Sequence, residues 1–268
     1  MGYVMAKDPD FWCATDDPGP DRHNTRWMEG ISSSKLLSEL SIPGTHDTMT
    51  YAYSGIGGLW VWCQSWTLPI QLNMGVRFLD FRCRAFNGGM PFHHGDWYLG
   101  LGLSSALTNI VEFLQTNPSE CVIVRIKQEK SNLGGYDFRD ALQPFLESVS
   151  PYILKKSSMP TLGEARGKIV ILANYSLRPD DDMLMWTNMK IEDNYKPHSK
   201  AQKLADFTNN VNSASSATWE RSEMYISFTS FIWAGDAARA NARNMNPDVH
   251  SFVRSHSGCL GIVFMNYP

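Results

Sequence analysis

The sequence predicts an α/β fold on a mostly parallel sheet that closes as a barrel of about eight strands. Three observations predict it. Short β-branched apolar runs recur along the chain, helical stretches fall between several of them, and the count of runs reaches about eight, the number for a closed barrel. A chain of 268 residues suits one such unit, because barrels of about 250 residues fold as a single domain.

Residues 1–34 read as an irregular polar segment, with turn chemistry at 16–20 (Asp-Asp-Pro-Gly-Pro) and Trp12 and Trp27 pinning it onto a barrel that occupies 35–268. The six clear strands are 37–43, 76–82, 121–127, 168–173, 224–229 and 260–265; stretches 90–93 and 188–193 bring the number to about eight. A helix is predicted over 104–115, with Leu107, Ile110, Val111 and Leu114 on one face, Ser104 or Ser105 as its cap and Pro118 beyond its end. Further helices are read at 138–149 and 237–254. The polar stretch 209–218 reads as a loop, and no internal repeat is present.

The bulk properties exclude several functions. Net charge is −3 with no basic run, which argues against nucleic-acid binding and against strong electrostatic attachment to anionic membranes. Cys13, Cys63, Cys83, Cys121 and Cys259 are scattered, no pair has metal-ligand spacing, and their odd number is no disulfide framework. The first ten residues lack the apolar core of a signal peptide. Ala6 stands where N-myristoylation wants Ser or Thr, and no window approaches the roughly 20 apolar residues of a membrane span. A soluble, cytoplasmic or leaderless protein is expected.

Candidate chemistry collects at apparent strand ends, where an α/β barrel carries its site. His46 and Asp47 follow the first strand in Leu-Ser-Ile-Pro-Gly-Thr-His-Asp. Asp80 and Arg82 alternate on the second strand and share one face. A tight turn at Asn87-Gly88 folds the next strand back: centred on Gly88 it sets Arg82 opposite His94, and centred between Asn87 and Gly88 it sets Arg82 opposite His93. Two adjacent strand residues point to opposite faces, so His93 and His94 cannot easily share one metal ion.

In order and approximate spacing, Ile-Pro-Gly-Thr-His-Asp (42–47), Gly-Val-Arg-Phe-Leu-Asp-Phe-Arg (75–82) and Phe-His-His-Gly (92–95) resemble the X domain of phosphatidylinositol-specific phospholipases C. The likeness is greater to the metal-independent bacterial-type enzymes than to the calcium-dependent ones. Weaker similarity runs through Asn117–Glu120, 163–172, Tyr225–Ser230 and Gly261–Tyr267.

The resemblance implies a distorted TIM-type (β/α)8 barrel that cleaves phosphatidylinositol, or a glycosyl-phosphatidylinositol, to diacylglycerol and inositol 1,2-cyclic phosphate by attack of the inositol 2-hydroxyl. It implies His46 as general base, His94 as general acid (which favours the first hairpin register), Arg82 on the phosphate, and Asp47 and Asp80 orienting His94 and Arg82. Lys127, Asp193 and Tyr195 match positions that contact the inositol ring. Asn174 stands where those enzymes carry an arginine, and Asn266 where they carry the aspartate paired with the base.

No metal and no cofactor are expected, since Arg82 takes the place of a cation. Trp60, Trp62 and Trp233, with Trp66 nearby, are expected at the membrane rim, and the protein is expected to act as a monomer in peripheral contact with lipid. Asn174 and Asn266 also support a second reading, a catalytically weakened inositol-lipid-binding module on the same barrel. A metal-dependent glycerophosphodiesterase is disfavoured by Arg82.

Overall fold

The computed structural model describes residues 23–130, 133–217, 222–232, 235 and 237–268. The strands are β1 (Ile42–Thr45), β2 (Phe78–Cys83), β3 (Pro91–His94), β4 (Trp97–Gly102), β5 (Val122–Gln128), β6 (Ile153–Leu154), β7 (Ile169–Asn174), β8 (Leu184–Met185), β9 (Lys190–Glu192), β10 (Tyr225–Phe228) and β11 (Ile262–Met265). The helices are α1 (Gly58–Val61), α2 (Leu68–Asn73), α3 (Leu103–Thr116), α4 (Asp137–Glu147), α5 (Leu162–Ala165), α6 (Lys200–Ser216) and α7 (Ala238–Ser255).

One parallel sheet runs in the order β6-β7-β5-β2-β1-β11-β10-β9. Its curl follows from the strand alternation. Ile42, Phe78, Ile123, Val170, Leu172, Ile226, Phe228, Ile262 and Phe264 come from six different strands, yet they pack into one buried cluster, so their inner faces surround a common interior. Phe228 meets Phe264 edge-on at 4.3 Å and Phe78 meets Phe264 at 5.1 Å. Truncating one such ring to Ala costs about 3–5 kcal/mol. Gly44 follows from this crowding: a Cβ there would lie 2.9 Å from the Phe264 ring and 3.1 Å from Phe78 Cβ. The outer faces of β2, β5 and β7 pack against α2, α3 and α4, and β11 packs against α6 and α7.

The alternation that buries Phe78, Ile123 and Phe264 carries Asp80 and Arg82, Arg125 and Lys127, and Asn266 to the same face farther along their strands. The polar layer therefore gathers at the C-terminal ends. Residues 23–34 lie against the opposite end, where Trp27 Nε1 donates to Gly75 O at 2.9 Å and the Met28 amide to Glu120 Oε1 at 3.1 Å. Glu120 also holds the fully buried Arg77, whose Nη2 is 2.9 Å away. Trp12 and the 16–20 turn lie outside the described residues.

Several expectations need correction. The stretch 90–93 forms part of β3, but β3 pairs antiparallel with β2 and with β4 as an excursion from the parallel sheet. The remaining edge is supplied by β6 and β8, two-residue strands on successive parts of β7 that are too short to show periodicity. The first strand begins at Ile42, because Leu37–Glu39 turns as a 3-10 helix.

Gly102 caps α3, with the Ser105 hydroxyl donating back to its carbonyl, because the chain enters that helix directly from β4. Residues 209–216 are not a loop. They complete α6, whose Phe207, Val211 and Ala214 form a narrow buried stripe at helical spacing among Ser and Asn.

Candidate active site

His46 leaves β1 still paired to the neighbouring strand, its amide donating to Met265 O at 2.8 Å. Its ring therefore reaches Asn266, with Nδ1 2.8 Å from Asn266 Oδ1. An amide oxygen only accepts, so Nδ1 carries the proton and Nε2 keeps its lone pair. Gln64 fastens this seam by donating from Nε2 to His46 O and Met265 O.

Asp47 then turns the chain with φ +49°, a left-handed conformation unusual for a side chain other than glycine. Two bonds hold it there. The Asp47 amide donates to Asp80 Oδ2 at 3.1 Å, and the Asp80 amide donates to Thr48 Oγ1 at 2.7 Å.

Arg82 connects these groups. Nε donates to Asp80 Oδ2 at 2.9 Å, Nη2 donates to His46 Nε2 at 2.6 Å, and Nη1 lies 3.2 Å from Asp47 Oδ2. On the far side of Asp47, His94 Nε2 is 3.7 Å from the same Oδ2, while His94 Nδ1 donates to Val61 O at 3.0 Å. His46, Arg82, Asp47 and His94 thus form a continuous polar chain.

The hairpin register is the other alternative. Cys83 pairs with Phe92 and Phe86 with Gly89, which extrapolates to Arg82 opposite His93. His94 still reaches the site because β3 pairs with β2 only at Phe92 and then runs on against β4, where the β3–β4 register shifts between Pro91 and His93. His93 turns against Tyr98 instead.

Charge is balanced inside this crowded floor. Burial lowers the His46 pKa well below its ordinary value, and the Arg82 charge adds to the effect, against Asp80 and the bond to Asn266. Burial raises Asp47, although Arg82 and His94 oppose it. Asp80 is lowered: burial works the other way, but Arg82 and Arg125 outweigh it. Arg82 is raised because Asp47 and Asp80 overcome the burial penalty on its cation.

The expected ring-binding residues are more dispersed. Lys127 Nζ pairs with Glu129 at 2.8 Å. Asp193 stands at the rim with its carboxyl raised by burial on one side, against Lys203, Arg125 and Arg82. Tyr195 is exposed beside the Lys196 ammonium.

Asn174 Oδ1 accepts from both Nε and Nη2 of Arg125, at 3.1 and 2.7 Å. Arg125, which the sequence reading overlooked, also reaches Asp80 Oδ1 at 3.2 Å and stacks 3.8 Å over the Trp186 ring. Its signal was present: it lies two residues before Lys127, hence on the same face of β5.

Ile56, Leu59 and Trp60 project from the loop and short helix after His46 and are 94%, 60% and 60% exposed. Trp62 is 37% exposed but donates from Nε1 to Tyr53 O at 2.8 Å. Trp66 is buried, which corrects its place at the rim, and Trp233 lies outside the described residues. Among the described residues, no helix is long and apolar enough to cross a membrane.

Comparison with known proteins matches residues 40–175 to the model of the phosphatidylinositol-specific phospholipase C, X domain. A protein named 1-phosphatidylinositol phosphodiesterase from Listeria monocytogenes is 29% identical over 91% of this chain and 81% of its own length. One of that name from Staphylococcus aureus is 23% identical over 86% of this chain and 83% of its own. The solved structure of the phosphatidylinositol-specific phospholipase C from Listeria monocytogenes superposes with a TM-score of 0.81 at 27% identity, covering 92% of this chain and 94% of that one.

The curled parallel sheet is accordingly the distorted TIM-type barrel of these enzymes. With the family model spanning His46 through Asn174, this chain belongs to the phosphatidylinositol-specific phospholipase C X-domain family.

Proposed function

We propose that this chain is a phosphoric diester hydrolase/lyase that cleaves phosphatidylinositol to diacylglycerol and inositol 1,2-cyclic phosphate without a metal. The observation that carries the reading is the position of the Arg82 guanidinium, hydrogen-bonded to His46 on one side and facing Asp47, which faces His94, on the other. A phosphodiester received by Arg82 has a base on one side and an acid on the other.

His46 Nε2 takes the proton of the inositol 2-hydroxyl as that oxygen attacks phosphorus, and His94 Nε2 gives a proton to the departing diacylglycerol oxygen. Attack from within the same molecule benefits from high effective concentration. Arg82 supplies directional donors to the phosphoryl oxygens as charge builds. Its Nη2 now occupies the lone pair of His46, so the substrate hydroxyl displaces it and frees that donor for the phosphate. Asp47 steadies the His94 imidazolium, and Asp80 fixes the Arg82 fork.

Lys127, Asp193 and Tyr195 receive the inositol ring at the rim, and Ile56, Leu59 and Trp60 enter the lipid interface beside it. The test is turnover of phosphatidylinositol against phosphatidylcholine in vesicles, with and without chelator. Turnover of the inositol lipid alone, unaffected by chelation, is the expected result. Loss on chelation overturns the metal-free mechanism. Binding with no turnover favours the lipid-binding module, toward which Asn266 and the capped His46 point.

A further inference from the structure

We propose that Asp47, Cys63 and His94 form an inhibitory site for a zinc-like divalent cation inside the candidate active site. One donor atom from each of the three residues lies within 4.8 Å of the others. Cys63 takes no part in the phosphodiester chemistry. It arrives from the segment after α1, with its amide held by Thr50 Oγ1 at 3.0 Å. Nothing in the linear spacing of 47, 63 and 94 announces the cluster.

Two further observations point to a ligand. Asp47 Oδ2 is buried and accepts no aligned hydrogen bond, although Arg82 Nη1 stands 3.2 Å away. His94 donates Nδ1–H to Val61 O, the outer hydrogen bond that a metal-bound histidine usually has, and this leaves Nε2 as a donor to a metal. A tetrahedral zinc with bonds of about 2.0–2.3 Å wants its ligand atoms roughly 3.3–3.8 Å apart. His94 Nε2 and Asp47 Oδ2, at 3.7 Å, already meet that.

Thiolate and imidazole beside one carboxylate select zinc-like ions over calcium or magnesium. Binding forms the sulfur–metal bond as the Cys63 thiol releases its proton to solvent, and Arg82 Nη1 gives up Asp47. A fourth position stays open for water. Inhibition, as opposed to binding, rests on the reading of His94 as the acid, because the metal takes the Nε2 that must donate the proton.

The test is titration of the full chain with Co²⁺ alone, read by absorbance, followed by Zn²⁺ competition and zinc inhibition of turnover. One thiolate-to-cobalt charge-transfer band per chain is expected, displaced by zinc, retained in Cys259→Ser and lost in Cys63→Ser. Zinc inhibition should be reversed by chelator, and its apparent inhibition constant should rise about tenfold or more in Cys63→Ser, judged against that variant's own zinc-free rate.

Absence of the band, its persistence in Cys63→Ser, or equal zinc sensitivity of the two proteins overturns the site. Tight cobalt binding without zinc inhibition overturns the inhibitory role. Should Cys63→Ser fail to fold, undiminished cobalt affinity in His94→Gln overturns the site instead. The cobalt measurement stands even if the chain turns over no lipid, so it separates failure of this site from failure of the phosphodiesterase reading.

Discussion

His46 Nδ1 sits 2.8 Å from the amide oxygen of Asn266, so the proposed base is oriented by a neutral acceptor. The amide fixes the tautomer but contributes no charge to stabilise the imidazolium that forms when His46 takes the proton. Burial and the Arg82 charge already disfavour that cation. Asn266→Asp is therefore expected to raise kcat by tenfold or more; the upper bound is the roughly 10⁴ that separates Asp from Asn beside a catalytic histidine in serine proteases. Steady-state rates of the two proteins on mixed micelles check it, and equal rates would mean that the residue at 266 does not govern the base.

The same environment makes a statement about stability. The folded His46 pKa lies below the unfolded one, so as pH falls through the ordinary histidine value the unfolded chain takes up a proton that the folded chain refuses. This contribution is intact above about pH 6.5 and is lost as pH falls below it. Urea unfolding of the native chain and of His46→Gln at pH 7.5 and about 5.5 should show a smaller loss for the variant. Parallel losses would place the burden elsewhere, with His93, whose pKa burial also lowers, the next candidate.

Two tryptophans that look alike in sequence should behave differently. Trp60 is 60% exposed and has a neighbour, Leu59, that is equally exposed; Trp60→Ala should weaken vesicle binding while leaving the unfolding free energy within about 0.5 kcal/mol. Trp62 bonds to Tyr53 O and its ring covers Gly58; Trp62→Ala should instead lose stability, by about 1–3 kcal/mol. Vesicle sedimentation and denaturant titration separate the two, and the reverse pattern would contradict the assignment.

Much of the barrel was legible because its staves are β-branched runs with helices between them, and because alternation put Asp80 with Arg82 on one face. What escaped has physical reasons. Strands β6 and β8 are two residues long, with no period to read. The 209–216 part of α6 hid its apolar stripe among Ser and Asn, and β4 has two glycines in six residues.

Within the site, the family motifs named the residues that the fold gathers, but not which atoms meet. The Arg82–His46 hydrogen bond and the Cys63 thiol beside Asp47 depend on folding over long separations. Arg125 was readable from alternation alone. Its partner Asn174 was noticed only as a departure from the family pattern, whereas the fold sets its amide oxygen against two nitrogens of the Arg125 guanidinium.

In the proposed mechanism the inositol 2-hydroxyl attacks a phosphate held by Arg82, with His46 as base. Phosphorus NMR of phosphatidylinositol cleavage in the presence of chelator tests it most directly. Inositol 1,2-cyclic phosphate is expected as the first product, its rate of formation reduced by about 10²–10³ in Arg82→Gln. A linear inositol phosphate or phosphatidic acid appearing first, or an Arg82→Gln enzyme as fast as the native chain, would contradict it.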